Sequence, residues 1–526
     1  VAAPHYRVRY PSDPNFPAPP AGPAAEPTRR SLDLTLGALF TYELGRLTDP
    51  FQSEIQLEPS LVANPWPGGK ATASVLIPVH NDFLPDELHP DIDRFRPGLL
   101  TLEQFAWIPR VALASASAGL LGDNRYGVSV GALRPIAGGR FAIDGQIDVT
   151  GFVAFPEGGT TYSSMTQVSG FGSIAWRVPY FDATLRVRGG RYVFGDAGVD
   201  VEFTRAYGDL DFSLFVLRSG EFTVEGARIA IPLPPLTRST RHPLRIQPVL
   251  RFPISYRTDA TPVGEVVTGI TTREEHLRQL NTPSLEANGP RLRRARGNSD
   301  PVPPPGPIEW VNLSGMSGFI FTPWAGVLSD RSIELGYSHV PKKWSYSGRD
   351  LFVNQAYHLT TGLIPRVEVS LRFTRLPGAE GFIHDPDNQL QTDTDHMASG
   401  RLMLLTPGPG HPGLAVGVED AEGTRRFHSE YVVAGMPFAI LRVQNRFSLG
   451  YASRVFTAAR YVLDGGFGAF EVSPWRAVAA RIEYDTEKIN VGTQAERIAV
   501  APDGDRLYVT HRQAKRVDVV QLDYVR

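Results

Sequence analysis

Apolar and polar residues alternate one by one over most of the chain from Leu32 onward. The stretch P-R-V-E-V-S-L-R-F-T-R at 365–375 is typical of this pattern. Its apolar positions are Val367, Val369, Leu371 and Phe373, and its polar positions are Arg366, Glu368, Ser370, Arg372 and Thr374. Because successive side chains of a strand point to opposite faces, the pattern predicts a strand with one apolar and one strongly polar face.

The alternation recurs at intervals of about ten residues, with turn signals between the segments. Examples of these signals are G-D-N at 122–124, A-G-G at 137–139 and D-G-G at 464–466. The spacing predicts an antiparallel up-and-down arrangement, with about 12 strands in 31–258 and about 12 more in 331–526. A total of about 24 strands, in a range of about 22–26, favours one very large sheet.

Two architectures would use the polar face differently. In a soluble sandwich the apolar face forms the core, whereas in a membrane barrel the apolar face meets lipid and the polar face lines a wet interior. A sandwich holds about seven to nine strands, so this chain would need three such domains, and only one linker-like segment is visible. We therefore predict an all-β fold, a large antiparallel up-and-down transmembrane β-barrel, with a soluble multi-sheet protein as the alternative.

The barrel prediction assigns both faces of the strands. Polar residues expected to line the lumen are Arg366, Glu368, Arg372, Arg481, Glu483, Asp485, Asp144, Asp148, Arg186, Arg188, Arg442 and Arg446. Apolar residues expected to face lipid are Val367, Val369, Leu371, Phe373, Ile482 and Tyr484. Charges of both signs on the inner face indicate a wide, water-filled interior.

Composition divides the chain into four parts. Residues 1–30 are rich in Pro and Ala and predict a flexible arm, 31–258 form the first half of the barrel, and 307–526 form the second half. The intervening 259–306 contain a short helical pattern and a basic and Pro-rich run, which predicts an inserted arm or linker. A single barrel, which we favour, would pair 516–525 with 32–44 and place 245–257 beside 331–340. Two smaller barrels would instead pair 32–44 with 245–257 and 331–340 with 516–525.

Composition and motifs indicate a protein without catalytic chemistry. The 526 residues carry a net charge of −2 and no cysteine, which argues against nucleic-acid binding and excludes disulfides and thiolate metal sites. G-F-G-S-I-A at 170–175 continues into a strand pattern instead of a helix, and D-P-D-N-Q-L-Q-T-D-T-D-H at 385–396 lacks the Gly and terminal Glu of a calcium loop. We expect no catalytic residues, no metal and no cofactor.

Several segments resemble the YjbH family of Gram-negative outer-membrane proteins, which are encoded with exopolysaccharide and group 4 capsule systems. The resemblance rests on G-M-S-G-F-I-F-T-P-W-A-G-V-L-S-D-R-S-I-E-L-G-Y-S at 315–338, the stretch 365–375, and the segments 411–434 and 467–485. Segments 188–207 and 227–235 are similar to the family's C-terminal half. They come first here, which indicates that the two halves stand in permuted order.

The resemblance implies a porin-like protein of the outer membrane of a Gram-negative-type bacterium that serves export or surface assembly of an exopolysaccharide. The partners it implies are outer-membrane lipids, the polysaccharide, and possible periplasmic or surface proteins, with no nucleic acid. A polar-lined conduit is one role. The alternative is a non-transporting structural or surface-anchoring barrel that binds a partner protein, and an internal plug would favour it. An outer-membrane hydrolase is the remaining hypothesis.

Overall fold

The computed structural model of the protein describes only part of the chain. The described residues are 32–44, 51–83, 91–109, 111–178, 181–207, 210–233, 244–249, 251–258, 261–274, 311–340, 354–375, 394–423, 428–441, 443–453, 463–475, 478–484, 489–491, 497–500, 507–511 and 516–520. They form two compact units, one within Val1–Glu43 and Phe51–Pro301 and the other within Leu44–Pro50 and Val302–Arg526. No helix among them is both long and apolar enough to cross a membrane.

The first unit is built from strands β1 to β15. Their bounds are β1 Leu32–Leu44, β2 Phe51–Ala63, β3 Gly69–Asn81, β4 Arg96–Ile108, β5 Ala112–Leu121, β6 Arg125–Ile136, β7 Phe141–Ala154, β8 Thr161–Tyr162, β9 Gln167–Val178, β10 Ala183–Arg191, β11 Ala197–Tyr207, β12 Leu210–Ser219, β13 Phe222–Pro232, β14 Leu244–Pro248 and β15 Arg251–Arg257. One short 3-10 turn, Ala137–Gly139, separates β6 from β7.

The predicted turns make these strands possible. In G-D-N, Asp123 and Asn124 both have φ of 55°. Leu121 pairs with Arg125, so G-D-N is a three-residue hairpin loop, and Asp and Asn tolerate its positive φ values better than most residues. The hairpin β5–β6 therefore follows directly from the local sequence.

The sheet of the first unit nearly closes on itself. Its order is β14-β1-β2-β3-β4-β5-β6-β7-β9-β10-β11-β12-β13-β15, and β8 pairs with β7 beside this path. Only two residues separate β14 from β15, so these two strands act as one interrupted strand that pairs with β1 at one end and with β13 at the other. The pairing of β1 with β14 is parallel. An odd number of strands cannot alternate in direction all the way round a closed sheet, so one pair has to be parallel.

The second unit has its own sheets. Its strands are β16 Ile333–Val340, β17 Asn354–Ile364, β18 Val367–Arg375, β19 Thr394–Leu405, β20 Gly413–Gly423, β21 Ser429–Ile440, β22 Val443–Ser453, β23 Gly465–Trp475, β24 Val478–Tyr484, β25 Ile489–Val491, β26 Arg497–Val500, β27 Leu507–His511 and β28 Arg516–Val520. Strands β16 to β25 form one antiparallel sheet in sequence order, and β26 to β28 form a small second sheet. Strand β28 lies next to β16.

The all-β fold and the large antiparallel barrel predicted from the sequence are confirmed. The preference for a single barrel is wrong: β1 pairs with β14 of its own unit, and β16 lies beside β28, as expected for two separate sheets. The physical reason is that β14 and β2 occupy both edges of β1, so β1 has no free hydrogen-bonding edge for a strand of the other half. The total of about 24 strands stays a prediction, because the described ranges leave gaps.

Candidate functional site

The first unit buries polar side chains and exposes apolar ones. On β7, Gln146, Asp148 and Thr150 are 7%, 1% and 0% exposed, whereas Ile143 and Ile147 are 47% and 60% exposed. A soluble sheet packed on an apolar core would show the reverse. The polar face of the strand therefore points to the inside of the nearly closed sheet.

The second unit has the same inverted polarity. On β18, Glu368, Ser370, Arg372 and Thr374 are all buried, and the four apolar residues between them are only half-buried. On β24, Glu483 is buried, while Ile482 and Tyr484 are 48% and 46% exposed. The candidate functional surface is therefore the polar inner face of each sheet.

A chain segment lies on the inner face of the first unit. This first inner segment, residues 261–274, follows β15 directly along the chain. Val263 packs with buried side chains of β12 and β13, and Val267 packs with Leu121 and Val193. The amide of Val193 donates a hydrogen bond to the carbonyl of Glu265, with an N···O distance of 2.9 Å.

Arg273 joins the end of this segment to the wall of the sheet. Its Nε and Nη2 donate to the two carboxylate oxygens of Asp144 at 2.6 and 3.0 Å, a bidentate geometry that makes a strong charge-assisted pair. Nη1 donates to Ser115 Oγ at 2.8 Å, and Nη2 also donates to Gln146 Oε1 at 3.1 Å. The side chain of Arg273 is 2% exposed, so the guanidinium is almost completely enclosed by these partners.

A glycine makes room for that guanidinium. A Cβ at Gly131 would lie 2.3 Å from Nη1 of Arg273, so Gly131→Ala forces the guanidinium away from Asp144 and Ser115. Because hydrogen bonds to charged groups contribute about 1.5–3 kcal/mol each, we expect the substitution to lower the free energy of unfolding by about 1–3 kcal/mol. Denaturant titration of the folded protein measures this. Gly172→Ala is the matched control, since its Cβ would meet nothing within 4 Å; equal effects of the two substitutions would contradict the prediction.

Glu103 binds the same segment two residues before Arg273. The amide of Thr271 donates to Glu103 Oε2 at 2.8 Å, and Thr271 Oγ1 donates to Oε1 at 3.0 Å. Lys70 Nζ lies 3.1 Å from Glu103 Oε1 and balances its charge. Charged residues of the inner face thus fix the first inner segment through its backbone as well as through Arg273.

The second unit also has a segment on its inner face. This second inner segment, residues 311–328, is buried at almost every position. Met316, Phe319 and Ala325 are 0%, 1% and 0% exposed. Phe319, Trp324 and Ala469 of β23 form one apolar cluster. The segment therefore forms the core of the second unit against the polar face of its sheet.

A buried ion pair binds the backbone of the second inner segment. Glu368 accepts hydrogen bonds from the amides of Ser317 and Leu328, both at 2.7 Å. Arg401 Nη1 donates to the carbonyls of Ser317, Trp324 and Gly326 at 2.5, 2.8 and 3.1 Å. The two side chains are 3.9 Å apart and fully buried. Together they satisfy backbone groups that a segment without regular structure would otherwise leave unpaired.

A second carboxylate binds the middle of the segment. Glu483 accepts from the amides of Ile320, Phe321 and Thr322 at 3.1, 2.8 and 3.2 Å, and from Thr322 Oγ1 at 2.9 Å. Three successive amides that converge on one carboxylate form an anion-binding concavity, here occupied by the sheet's own side chain.

Two arginines and Glu471 continue the network along β22 to β24. Arg446 lies 2.8 Å from Glu471 Oε1, and Arg481 lies 2.5 Å from Oε2. Arg446 also donates to the carbonyl of Gly318 at 3.1 Å. Its guanidinium lies 5.3 Å from the centre of the Trp324 ring, a cation–π contact.

The predicted inner-face residues occupy several environments. Glu368, Arg372, Arg446, Arg481 and Glu483 contact the second inner segment, and Asp144 contacts the first. Asp148 accepts from Gln146, Arg186 pairs with Glu202, and Arg188 pairs with Asp200. Arg366 is exposed in the turn before β18, with φ of 71°. Arg442 and Asp485 lie outside the described residues. Whether these side chains line an open passage stays a prediction.

The predicted outer-face residues and the motifs are placed as follows. Val367, Val369, Leu371 and Phe373 are half-buried, and contact with lipid stays a prediction. The G-F-G-S-I-A motif lies within β9, as its alternation indicates. The acidic stretch 385–396 falls mostly outside the described residues, and no group of metal-binding side chains occurs within them.

Sequence reasoning missed the two inner segments and their main anchors, Arg273, Arg401 and Glu419, the last of which accepts a hydrogen bond from Ser314 Oγ at 2.9 Å. Arg401 and Glu419 lie on strands with alternating character, so the period-2 pattern could have included them. Arg273 belongs to a stretch interpreted as a linker, and its partner Asp144 is 129 positions away. No short sequence pattern predicts a contact between residues so far apart.

Comparison with known proteins bears on the second unit. Residues 311–490 match the family model YjbH, described as exopolysaccharide biosynthesis protein YbjH. The match contains the second inner segment and the strands β16 to β24 in full. It also contains the four segments at 315–338, 365–375, 411–434 and 467–485 that carried the resemblance. The segments 188–207 and 227–235 lie outside it, so the permuted order stays a prediction. A search of curated proteins finds no match to the chain. Over residues 311–490, the chain is similar to the YjbH exopolysaccharide biosynthesis family.

Proposed function

We propose that this protein is an outer-membrane β-barrel protein of a Gram-negative-type bacterium that serves export or surface assembly of an exopolysaccharide, with its polar inner face as the conduit. The observation that carries the proposal is the inverted polarity of the sheets. Exposed apolar residues such as Ile147 suit a lipid surface, and buried polar residues such as Asp148 suit a wet interior.

The family relationship supports the link to an exopolysaccharide. A hydrated glycan passes through a pore when it meets many weak hydrogen-bonding groups, because a tight site would hold it in place. Inner faces with Ser, Thr, Gln and charges of both signs offer such groups. The proposed role includes no covalent step, so it assigns no catalytic residue.

A second candidate is a structural or surface-anchoring barrel that conducts nothing and binds a partner protein. The second inner segment favours it, because this segment is buried and bound by Glu368, Arg401 and Glu483. In the first unit, we propose that conduction involves movement of the first inner segment away from the wall. The two candidates therefore differ in whether polysaccharide export depends on movement of the first inner segment.

A disulfide lock tests this difference. A Cβ at Gly122 would lie 3.1 Å from Cβ of Thr268, close to the separation of about 3.5–4.5 Å found in disulfides. The chain has no cysteine of its own, so Gly122→Cys with Thr268→Cys introduces one defined pair. We expect oxidation to reduce surface polysaccharide severalfold at constant amounts of folded protein, and reduction to restore it.

Thr268→Cys alone is the control and should not respond to oxidant. Normal polysaccharide export by the locked protein would contradict a conduit through the first unit and favour the anchoring role. Normal surface polysaccharide in cells that lack the protein altogether would contradict both candidates.

A further inference from the structure

The inner face of the first unit contains a polar cavity of about 210 Å³. Side chains of strands β9 to β13 and β15 line it, and Thr272 and Glu274 of the first inner segment complete it. It lies apart from the groups that hold Arg273, none of which lines it. The cavity is thus a separate feature of the inner face, with the end of the inner segment as part of its wall.

Four arginines line the cavity: Arg177, Arg186, Arg228 and Arg251. Arg186 lies 3.0 Å from Glu202 and 3.4 Å from Glu274. Arg228 lies 3.2 Å from the same oxygen of Glu202. These contacts fix the guanidinium groups, so several N–H donors keep a defined direction before any ligand arrives.

Four carboxylates balance the arginines: Asp182, Glu202, Asp211 and Glu274. The lining therefore has a formal charge of zero, four positive groups against four negative ones. An anionic ligand would be repelled by the four carboxylates, and a cationic ligand by the four guanidinium groups. Either ligand would lose its hydration on binding, and a lining without net charge would not offset that cost. A neutral ligand avoids this cost.

Hydroxyl groups complete the lining. Thr204 Oγ1 lies 2.9 Å from Ser213 Oγ and donates to Glu202 Oε1 at 3.0 Å. Donors and acceptors thus alternate over short distances within the cavity. A ligand that carries many hydroxyl groups fits this arrangement, because each hydroxyl donates one hydrogen bond and accepts others.

From these features we infer that the cavity binds one neutral, hydroxyl-rich saccharide unit. The inference rests on the proposed role in exopolysaccharide handling, and it specifies the chemistry that the inner face recognises. Since Thr272 and Glu274 belong to the first inner segment, the site is complete only while the segment is seated. A bound saccharide therefore stabilises the seated segment.

Calorimetric titration of the full chain in detergent tests the inference. The probes are maltotriose as the neutral ligand, trigalacturonate as the anionic one and a chitosan trimer as the cationic one. We expect saturable binding of maltotriose and at least tenfold weaker binding of the two charged trimers. Thr204→Val removes one hydroxyl and should weaken maltotriose about 3–10-fold, as loss of one hydrogen bond predicts. Glu202→Gln should weaken it by more.

Thr150→Val is the matched control, since Thr150 is a buried threonine on the inner face of β7 that does not line the cavity. It should change maltotriose binding less than twofold. No binding of maltotriose at millimolar concentration, or tighter binding of either charged trimer, would overturn the inference. The proposed function is judged separately, by surface polysaccharide in cells that carry the locked protein or lack the protein, so it can stand when the cavity fails this test.

Discussion

Replacing Arg401 by methionine is expected to lower the free energy of unfolding of the second unit by about 3–5 kcal/mol. The substitution keeps much of the side chain's length but removes the donors to the carbonyls of Ser317, Trp324 and Gly326. It also leaves Glu368 as a buried charge without its cation. Breaking one side of a buried pair is costly because the remaining charge has neither water nor a counter-charge.

The measurement is denaturant unfolding followed by tryptophan fluorescence, since Trp324 is 4% exposed within the second inner segment. Arg94→Met is the control: Arg94 and its partner Glu157 are 41% and 85% exposed, and such pairs contribute about 0–1 kcal/mol. If Arg401→Met lowers the free energy of unfolding no more than Arg94→Met does, the ion pair does not hold the second inner segment. Combining Arg401→Met with Glu368→Gln should restore part of the stability, because the uncompensated charge is then removed.

The sequence predicts the strands well because the residues that determine each strand lie within that strand. At β18 the alternation of Glu368, Ser370, Arg372 and Thr374 with apolar residues corresponds directly to the observed alternation of burial. The G-D-N turn is equally local, because its two positive φ values depend on Asp123 and Asn124 themselves. The sequence therefore contains most of the up-and-down order of the two sheets.

Closure of the sheets depends on contacts that no short window contains. Strand β1 pairs with β14 over more than two hundred positions of the chain. The alternation in β1 shows which residues share a face, but it is the same whether the neighbour is β14 or β28. The choice follows from which edge remains free when the hairpins have formed, and this is a property of the whole sheet.

The inner segments could not be predicted for a different reason. Residues 311–328 have no period of two or of 3.6, so pattern analysis has nothing to detect. Their structure is imposed by Glu368, Arg401 and Glu483, which look from the sequence like ordinary residues of a solvated face. A polar face in a strand is compatible with water, with a ligand or with a second piece of the chain, and only the folded structure distinguishes them.

Replacing Ile147 by arginine tests the membrane location, which the polarity of the sheets supports. Ile147 is 60% exposed near the middle of β7. On a surface in water, an exposed substitution of this kind changes stability by less than about 0.5 kcal/mol. At the midplane of a bilayer, an arginine on the lipid face of a barrel costs about 2–4 kcal/mol. We therefore expect Ile147→Arg to lower the fraction of protein that folds into lipid vesicles by more than tenfold under marginally stable conditions.

Thr150→Val is the matched control on the inner face of the same strand, three positions away, and it should leave that fraction almost unchanged. Both variants are compared in vesicles and in detergent micelles, because a micelle adapts to a charge near its surface more readily than a bilayer does. If Ile147→Arg folds as well as the parent chain in vesicles, the exposed face of β7 does not meet lipid. The polar inner face would then belong to a protein that folds in water, and the proposed conduit across a membrane would have no support from the first unit.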